Sequence, residues 1–383
     1  MPPFSSRFRS AVRQYAGGST TAKRLLRGAE AQLGLWQHTA ARIAPRLIGA
    51  RPRKLTVAVT AHCNLRCVGC RYGRDFMPGE QLPYPVVHRL LTDAKAAGME
   101  TVRLYGGEPL LHPDLPAMIK HAVGLGLSPY VTTNGLLLRQ KIDQLHEAGL
   151  RTLTIGFYGV GDDYDRYVQR DGRYRRLEDS IAFVRERYGS EISIQLNFLL
   201  SRSSCNPDAL TQAWDFARRY DLEVQLDLIH YSLPYFTMGP DRELQFEPSD
   251  RDAIMTFVDS VVKLKMQEPD RIRESMLSIL SIPSWLLKGP DMAVPCDAHK
   301  LIWVGADGTV KLCYVTFVLG NLHEKPLSEM LFTAEHRNAA RDAFLLNCPN
   351  CHCERESRIL KHAPSRREFG SIAKQLRARP PEF

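Results

Sequence analysis

No apolar run in this 383-residue chain approaches the roughly 18 residues a membrane-spanning helix needs. That excludes a helical integral membrane protein. Cysteine is scarce: nine residues, none between Cys70 and Cys205, with Cys205 alone and the rest in two groups. An odd, grouped set is a poor disulfide framework, and no secretory signal is apparent, so a reducing compartment, the cytoplasm, is expected. Acids are nearly missing from the first 54 residues, where Glu30 stands against eleven Lys or Arg for a net charge of +10. The whole chain carries +9, so residues 55–383 are near neutral at −1. A general nucleic-acid-binding surface on the body of the chain is therefore not indicated.

What is present centres on Leu55–Cys70, LTVAVTAHCNLRCVGC. Leu55, Val57 and Val59 alternate with Thr56, Ala58 and Thr60, which predicts a strand. At its end Cys63, Cys67 and Cys70 are spaced C-x3-C-x2-C. Three thiols on one short loop can bind three irons of a cubane [4Fe–4S] cluster, whose full set takes four cysteines. One iron would then stay open to a ligand that is not protein. A zinc site completed by His62 is the alternative, strained because His62 and Cys63 are adjacent.

Strand and helix then alternate. Strands are expected at Thr101–Tyr105, Ser128–Thr133, Thr152–Phe157, Ile192–Leu200 and Leu222–Ile229. Helices are expected at Tyr84–Ala97, Asp114–Leu125, Leu138–Ala148, Leu177–Tyr188 and Pro207–Tyr220. Six such units predict an α/β fold, a parallel sheet curled into a partial (β/α)6 TIM-like barrel. Chemistry in such barrels sits at the C-terminal strand ends. Strand two ends in Gly106-Gly107-Glu108-Pro109, where glycines permit close backbone approach and a carboxylate can accept from an ammonium. Strand three ends in Thr132-Thr133-Asn134-Gly135.

The cysteine loop followed by GGEP resembles the radical S-adenosylmethionine (SAM) enzymes. The resemblance implies that the open iron is chelated by the amino and carboxylate groups of SAM. It further implies reductive cleavage to a 5′-deoxyadenosyl radical that takes hydrogen from a substrate. It assigns Gly106, Gly107 and Glu108 to the methionine amine, Thr133 and Asn134 to the ribose, and Asn197 and Arg202 to ribose and carboxylate. Strand four ends Gly156-Phe157-Tyr158-Gly159 where many relatives have Ser-Ile-Asp-Gly, which points Tyr158 at substrate. Asp227 and His230, near the end of strand six, are candidate acid/base groups.

After Pro290 the chain changes character. Leu301–Val304 and Thr309–Leu312 flank Gly305-Ala306-Asp307-Gly308, a hairpin signal. Helix Ser328–Phe344 leads to Cys348-Pro349-Asn350-Cys351-His352-Cys353. Cys296, Gly308 with Cys313 beyond it, and the late C-x2-C resemble the SPASM/twitch extension of radical SAM enzymes. That implies one auxiliary [4Fe–4S] cluster on Cys296, Cys313, Cys348 and Cys351, with Cys353 either replacing Cys351 or standing free beside it. A structural zinc site on the same thiolates is the alternative.

The resulting organisation is a basic, partly helical extension (1–54), a radical SAM core (55–232), a helical substrate insert (233–290), an auxiliary-cluster domain (291–360) and a basic, flexible tail (361–383). In the extension Leu26, Ala29, Leu33, Trp36, Ala40, Ile43 and Leu47 form an amphipathic stripe. A helix packed on the barrel is expected; a basic membrane-surface helix and a transit peptide are the alternatives. Expected partners are a small-molecule or peptide substrate and an electron donor such as flavodoxin or ferredoxin. Oxidation, epimerisation and crosslinking are all compatible outcomes. An iron–sulfur electron carrier without SAM chemistry is the non-enzyme alternative, but a carrier needs neither an open iron nor GGEP.

Overall fold

The computed structural model describes residues 36–362 except 37–38, 42, 233–243 and 315. Six parallel strands, β1 (Lys54–Thr60), β2 (Thr101–Gly106), β3 (Ser128–Thr133), β4 (Thr152–Phe157), β5 (Ser193–Leu200) and β6 (Glu223–Leu228), lie side by side in sequence order. This is the partial barrel. Alternation along each strand divides its residues between two faces. Val57, Leu104, Val131, Ile155, Leu196 and Leu226 join the main hydrophobic core beneath the helices. The alternate residues Thr56, Arg103, Thr132, Gln195, Asn197, Gln225 and Asp227 form the lumen face. Parallel strands covered on both sides usually read as continuous apolar runs; a polar inner face marks a lumen built for a polar occupant.

The helices supply the outer layer. Helix Pro207–Arg219, for example, buries Leu210, Trp214 and Phe216, each worth about 1.5–3 kcal/mol. Its start is fixed by Asn206, whose side chain accepts from the Ala209 amide at 2.8 Å. The barrel helices end within a few residues of their predicted limits, the largest difference being the Leu177–Tyr188 helix, which begins at Arg173.

Two features were not legible. The predicted hairpin forms as β7 (Leu301–Val304) and β8 (Thr309–Leu312), but β7 pairs in parallel with β1 and a further strand, β9 (Phe317–Asn321), follows. One nine-stranded sheet thus runs β6-β5-β4-β3-β2-β1-β7-β8-β9. The expected helix Ser328–Phe344 is two pieces, Leu327–Met330 and Ala334–Leu345. Phe332 takes φ 62° and Thr333 caps the second piece by accepting from the His336 amide at 3.2 Å.

The extension also needs correction. Leu26, Ala29 and Leu33 lie outside the described residues. Of the rest of the stripe, Trp36 and Ile43 are 79% and 88% exposed, Leu47 is half exposed and Ala40 half-buried, whereas Ala41, Ile48 and Ala50, off the stripe, are buried. The described stripe does not cover the barrel.

Helix Arg355–His362 is tied to the turn before β7 through Asp297, whose buried carboxylate meets Lys361 at 2.6 Å, Ser357 at 2.7 Å and Lys300 at 3.2 Å. Burial alone would raise this carboxyl, but the two ammonium groups hold it well below the ordinary range. A depressed carboxyl stabilises the fold above its unfolded value and loses that contribution as pH falls. Asp297→Asn should cost about 2 kcal/mol, below the ~3–5 of a fully buried pair because both lysines keep some water. Urea unfolding near pH 7 checks this, and the difference from wild type should shrink in acid.

Candidate functional site

The thiols fall into two groups, one on the loop after β1 and the other between Cys296 and Cys353. The first hangs on the loop after β1. Val68 donates from its amide to the Tyr167 carbonyl at 2.8 Å, and the Cys70 amide to the Cys67 carbonyl at 3.2 Å. Arg74, missed in the sequence, donates to the Cys67 and Cys70 carbonyls, each at 3.1 Å. Backbone oxygens are thereby occupied while Cys63, Cys67 and Cys70 stay free thiols. Burial pushes the Cys67 and Cys70 thiols upward; iron binding must therefore displace protons and would relieve that strain.

Gly106 and Gly107 press the end of β2 against this loop. A Cβ at Gly106, which has φ 145°, would stand 2.1 Å from the Thr60 carbonyl oxygen, and one at Gly107 2.4 Å from that of His62. The Gly107 and Glu108 amides donate to those same oxygens, each at 2.8 Å. The close approach that two glycines permit is thus to the chain's own backbone. Glu108 is fully buried and accepts from Thr133 Oγ1 at 2.6 Å, the Leu110 amide at 3.0 Å and the Asn134 amide at 2.7 Å. Burial pushes its carboxyl up to about 7 against those three donors. Asn134 Nδ2 donates to Asn64 Oδ1 at 2.7 Å, locking β3 to the cysteine loop. Cys63, Cys67, Cys70, Gly106, Gly107, Glu108, Thr133 and Asn134 therefore form one rigid edge.

Tyr158 belongs to the same neighbourhood. Its ring stacks on Tyr167 at 4.3 Å, and burial followed by Cys67 raises its phenol. Asn197 lines the lumen and accepts from Gln195 Nε2 at 3.0 Å. Arg202 is the exception. Its exposed guanidinium faces Asp250 at 3.0 Å and Glu247 at 3.4 Å, so it belongs to a surface ion network and not to this group.

At the second group Cys296, Cys313, Cys348 and Cys351 line one small cavity with Ala298, Phe317, Ala343 and Leu346. Four cysteines lining one apolar cage, with no carboxylate among its lining residues, suit a cubane held by thiolates. Cys353 does not line it. Its sulfur lies 3.2 Å from His230 Nε2 on the barrel side. Arg358, fully buried, braces the loop by donating to the carbonyls of Cys351, Val294 (2.6 Å) and Cys353 (3.5 Å), and to Asn350 Oδ1 at 3.2 Å.

Between the groups, Arg103 donates to Thr132 Oγ1 at 2.8 Å and to the Tyr314 hydroxyl at 3.1 Å, next to Cys313. Asp227 is open on the inner strand face but ringed by protein, and that enclosure raises its carboxyl while Arg103, His230 and Arg355 oppose it. Asp227 and His230 thus lie within electrostatic reach of one another. A larger cleft, lined by Arg185, Ser193, Glu223 and Arg271, opens at the opposite, N-terminal ends of β5 and β6, away from every thiol. Cys205 is buried in the core, apart from both groups.

Residues 57–200 match the Radical SAM superfamily, and residues 296–354 match SPASM, an iron–sulfur cluster-binding domain. GTP 3′,8-cyclase of Listeria welshimeri is 28% identical over 276 residues, covering 68% of this chain and 78% of that protein. AdoMet-dependent heme synthase of Methanosarcina barkeri is 23% identical over 316 residues, covering 76% and 85%. Among solved structures, Streptococcus suis SuiB bound to precursor peptide SuiA superposes with a TM-score of 0.61 at 14% identity, covering 88% of this chain and 79% of that one. The enzyme anSMEcpe with bound AdoMet gives 0.61 at 15% identity, covering 85% and 98%. These two similarities show the fold. No helix among the described residues is long and apolar enough to cross a membrane.

Proposed function

This chain belongs to the radical SAM superfamily and carries a SPASM-type cluster domain, and on that premise we propose that it removes hydrogen from a polar small molecule or peptide segment held in the barrel lumen. The observation that carries the reading is the polar strand face running from the Cys63–Cys70 loop toward Cys313 and Cys353. When bound, the first cluster and SAM supply a 5′-deoxyadenosyl radical for that abstraction. Cys63, Cys67 and Cys70 hold the first cluster; Cys296, Cys313, Cys348 and Cys351 hold the auxiliary one.

Glu108 organises the SAM edge, with one lone pair of Oε2 left to accept from the methionine ammonium. Thr133 and Asn134, fixed by Glu108 and Asn64, present their remaining polar groups to the ribose. Tyr158 closes the first-cluster side of the lumen, excluding water from a reactive radical. At the other end Asp227 and His230 orient the substrate's polar groups. Oxidation, epimerisation or crosslinking follows according to whether an electron leaves the substrate radical or a hydrogen returns to it.

The named activities of the relatives include a GTP cyclisation and a heme synthesis, and a structural neighbour binds a peptide. Both substrate classes suit the lumen. The test is anaerobic incubation of reconstituted protein with SAM and a strong one-electron reductant. 5′-Deoxyadenosine should form, and its absence would favour the electron-carrier alternative. Replacing Cys296, Cys313, Cys348 and Cys351 by Ala should lower iron from about eight to about four per chain, and stoichiometric zinc in iron-replete protein would overturn that ligand set.

Glu108→Gln provides a further check. Its amide would keep an oxygen on the Thr133 and Leu110 donors but turn an N–H₂ group toward the Asn134 amide and the methionine ammonium, so SAM affinity and the thermal midpoint should fall together. Loss of a charge-assisted hydrogen bond costs about 1.5–3 kcal/mol, roughly ten- to a hundred-fold in SAM dissociation constant. Unchanged SAM binding by calorimetry would remove Glu108 from the edge.

A further inference from the structure

The auxiliary site holds more donors than a closed cubane uses. Four cysteines line its cavity, yet His230, Cys351 and Cys353 form a second convergent set whose ligand atoms all lie within 4.8 Å of one another. Cys351 belongs to both sets. The Cys353 amide donates to Cys351 Sγ at 3.4 Å, and Cys353 Sγ meets His230 Nε2 at 3.2 Å. Two neighbouring buried polar atoms, Tyr231 Oη and His352 Nδ1, have no hydrogen-bond partner among the described residues. The His352 ring centroid lies 4.6 Å from that of His230 and 5.4 Å from that of Tyr231. Buried polar atoms are seldom left unpaired, so this corner is built for an additional occupant or for a sulfur that moves.

We propose that the barrel-side iron of the auxiliary cluster is held interchangeably by Cys351 or Cys353, with His230 receiving whichever thiol is released. The inference rests on residues 296–354 being the cluster site. The backbone makes the exchange inexpensive. Arg358 donates to the carbonyls of both Cys351 and Cys353, so the loop stays fixed while the two side chains rotate between staggered positions. The two thiols are separated by only His352 in sequence and share one short segment. No electron is gained or lost in the swap: one Fe–S bond forms as another breaks, and the released sulfur takes up the proton that the incoming thiol gives up.

The experiment uses the full chain with Cys63, Cys67 and Cys70 replaced by Ala, so that only auxiliary iron is observed. Iron and sulfide contents and the electron paramagnetic resonance spectrum of the reduced cluster are measured for this parent. The same measurements follow on Cys351→Ala, Cys353→Ala and the double variant. About four irons should survive in the parent and in either single variant, and the double variant should lose one or all of them. The parent spectrum should be a sum of the two single-variant spectra, and His230→Gln should change their proportions. If Cys351→Ala alone loses iron, or Cys353→Ala reproduces the parent spectrum, the exchange is overturned. A further metal ion in the parent that His230→Gln removes would overturn it in favour of a separate mononuclear site. Should Cys351→Ala fail to fold, the Cys353→Ala spectrum still decides. Full iron in a variant lacking Cys296, Cys313, Cys348 and Cys351 would defeat the site assignment itself, a result distinct from either outcome above.

Discussion

Replacing Cys63, Cys67 and Cys70 together by Ala should abolish 5′-deoxyadenosine formation and lower iron from about eight to about four per chain. The chain should still fold, because the loop is held by groups other than its thiols. Arg74 binds the Cys67 and Cys70 carbonyls, Val68 is paired with Tyr167, and Asn64 with Asn134. Alanine at the three positions also removes thiols whose burial disfavours their charged form, so the apo-protein should lose little stability. Iron analysis with an unfolding curve separates the two statements. Retention of eight irons would place the first cluster elsewhere. Retention of SAM cleavage at four irons would mean that the auxiliary group does the work assigned to the first.

The barrel was legible because its signals are local. Val, Ile and Leu alternate with polar residues along the strands, and several helices open beside a Pro or Asn and close just before a Gly. The grouping of the thiols was legible from spacing, since residues a few positions apart on one loop stay together whatever the fold. The residues that escaped detection act through contacts that spacing does not encode. Arg74, Asn64 and Arg358 hold loops through backbone oxygens or partners 60 and more positions away, as Asn64 does with Asn134 and Arg358 with Val294. The parallel pairing of β7 with β1 joins segments some 250 residues apart, and an isolated hairpin signal carries no information about which edge receives it. Arg202 misled for the converse reason. A basic residue after strand five suits a carboxylate in the family, but here Asp250 and Glu247 lie within reach and take it outward.

Arg358 is the position where a single change should cost the auxiliary site most. Its guanidinium is fully buried, stacks over Trp285 at 4.7 Å and faces four oxygen acceptors from two segments of chain, Asn350–Cys353 and Val294. Two of those acceptors are the carbonyls of Cys351 and Cys353; a third is Val294 ahead of Cys296. One planar fork therefore sets the distance between the early and late cysteines of the cluster. In Arg358→Met much of the volume remains, but buried oxygens lose their donors at about 1–3 kcal/mol each. The expected result is a folded barrel that retains the four irons of the first site and has lost the auxiliary four. Lysine at the same position can serve only part of this acceptor set, so Arg358→Lys should hold auxiliary iron that chelators remove faster than from wild type. Arg355, one turn earlier, supplies the contrast. Its side chain donates to the Leu226 carbonyl at 3.1 Å and pairs with Glu274 at 3.3 Å, fixing the helix to β6, and only its backbone amide meets the cysteine loop, at the His352 carbonyl. Arg355→Met should therefore lower the unfolding midpoint more than it alters the rate of iron removal. If Arg358→Met instead retains all its iron while losing only stability, the fork is a core brace, and the cysteines place themselves.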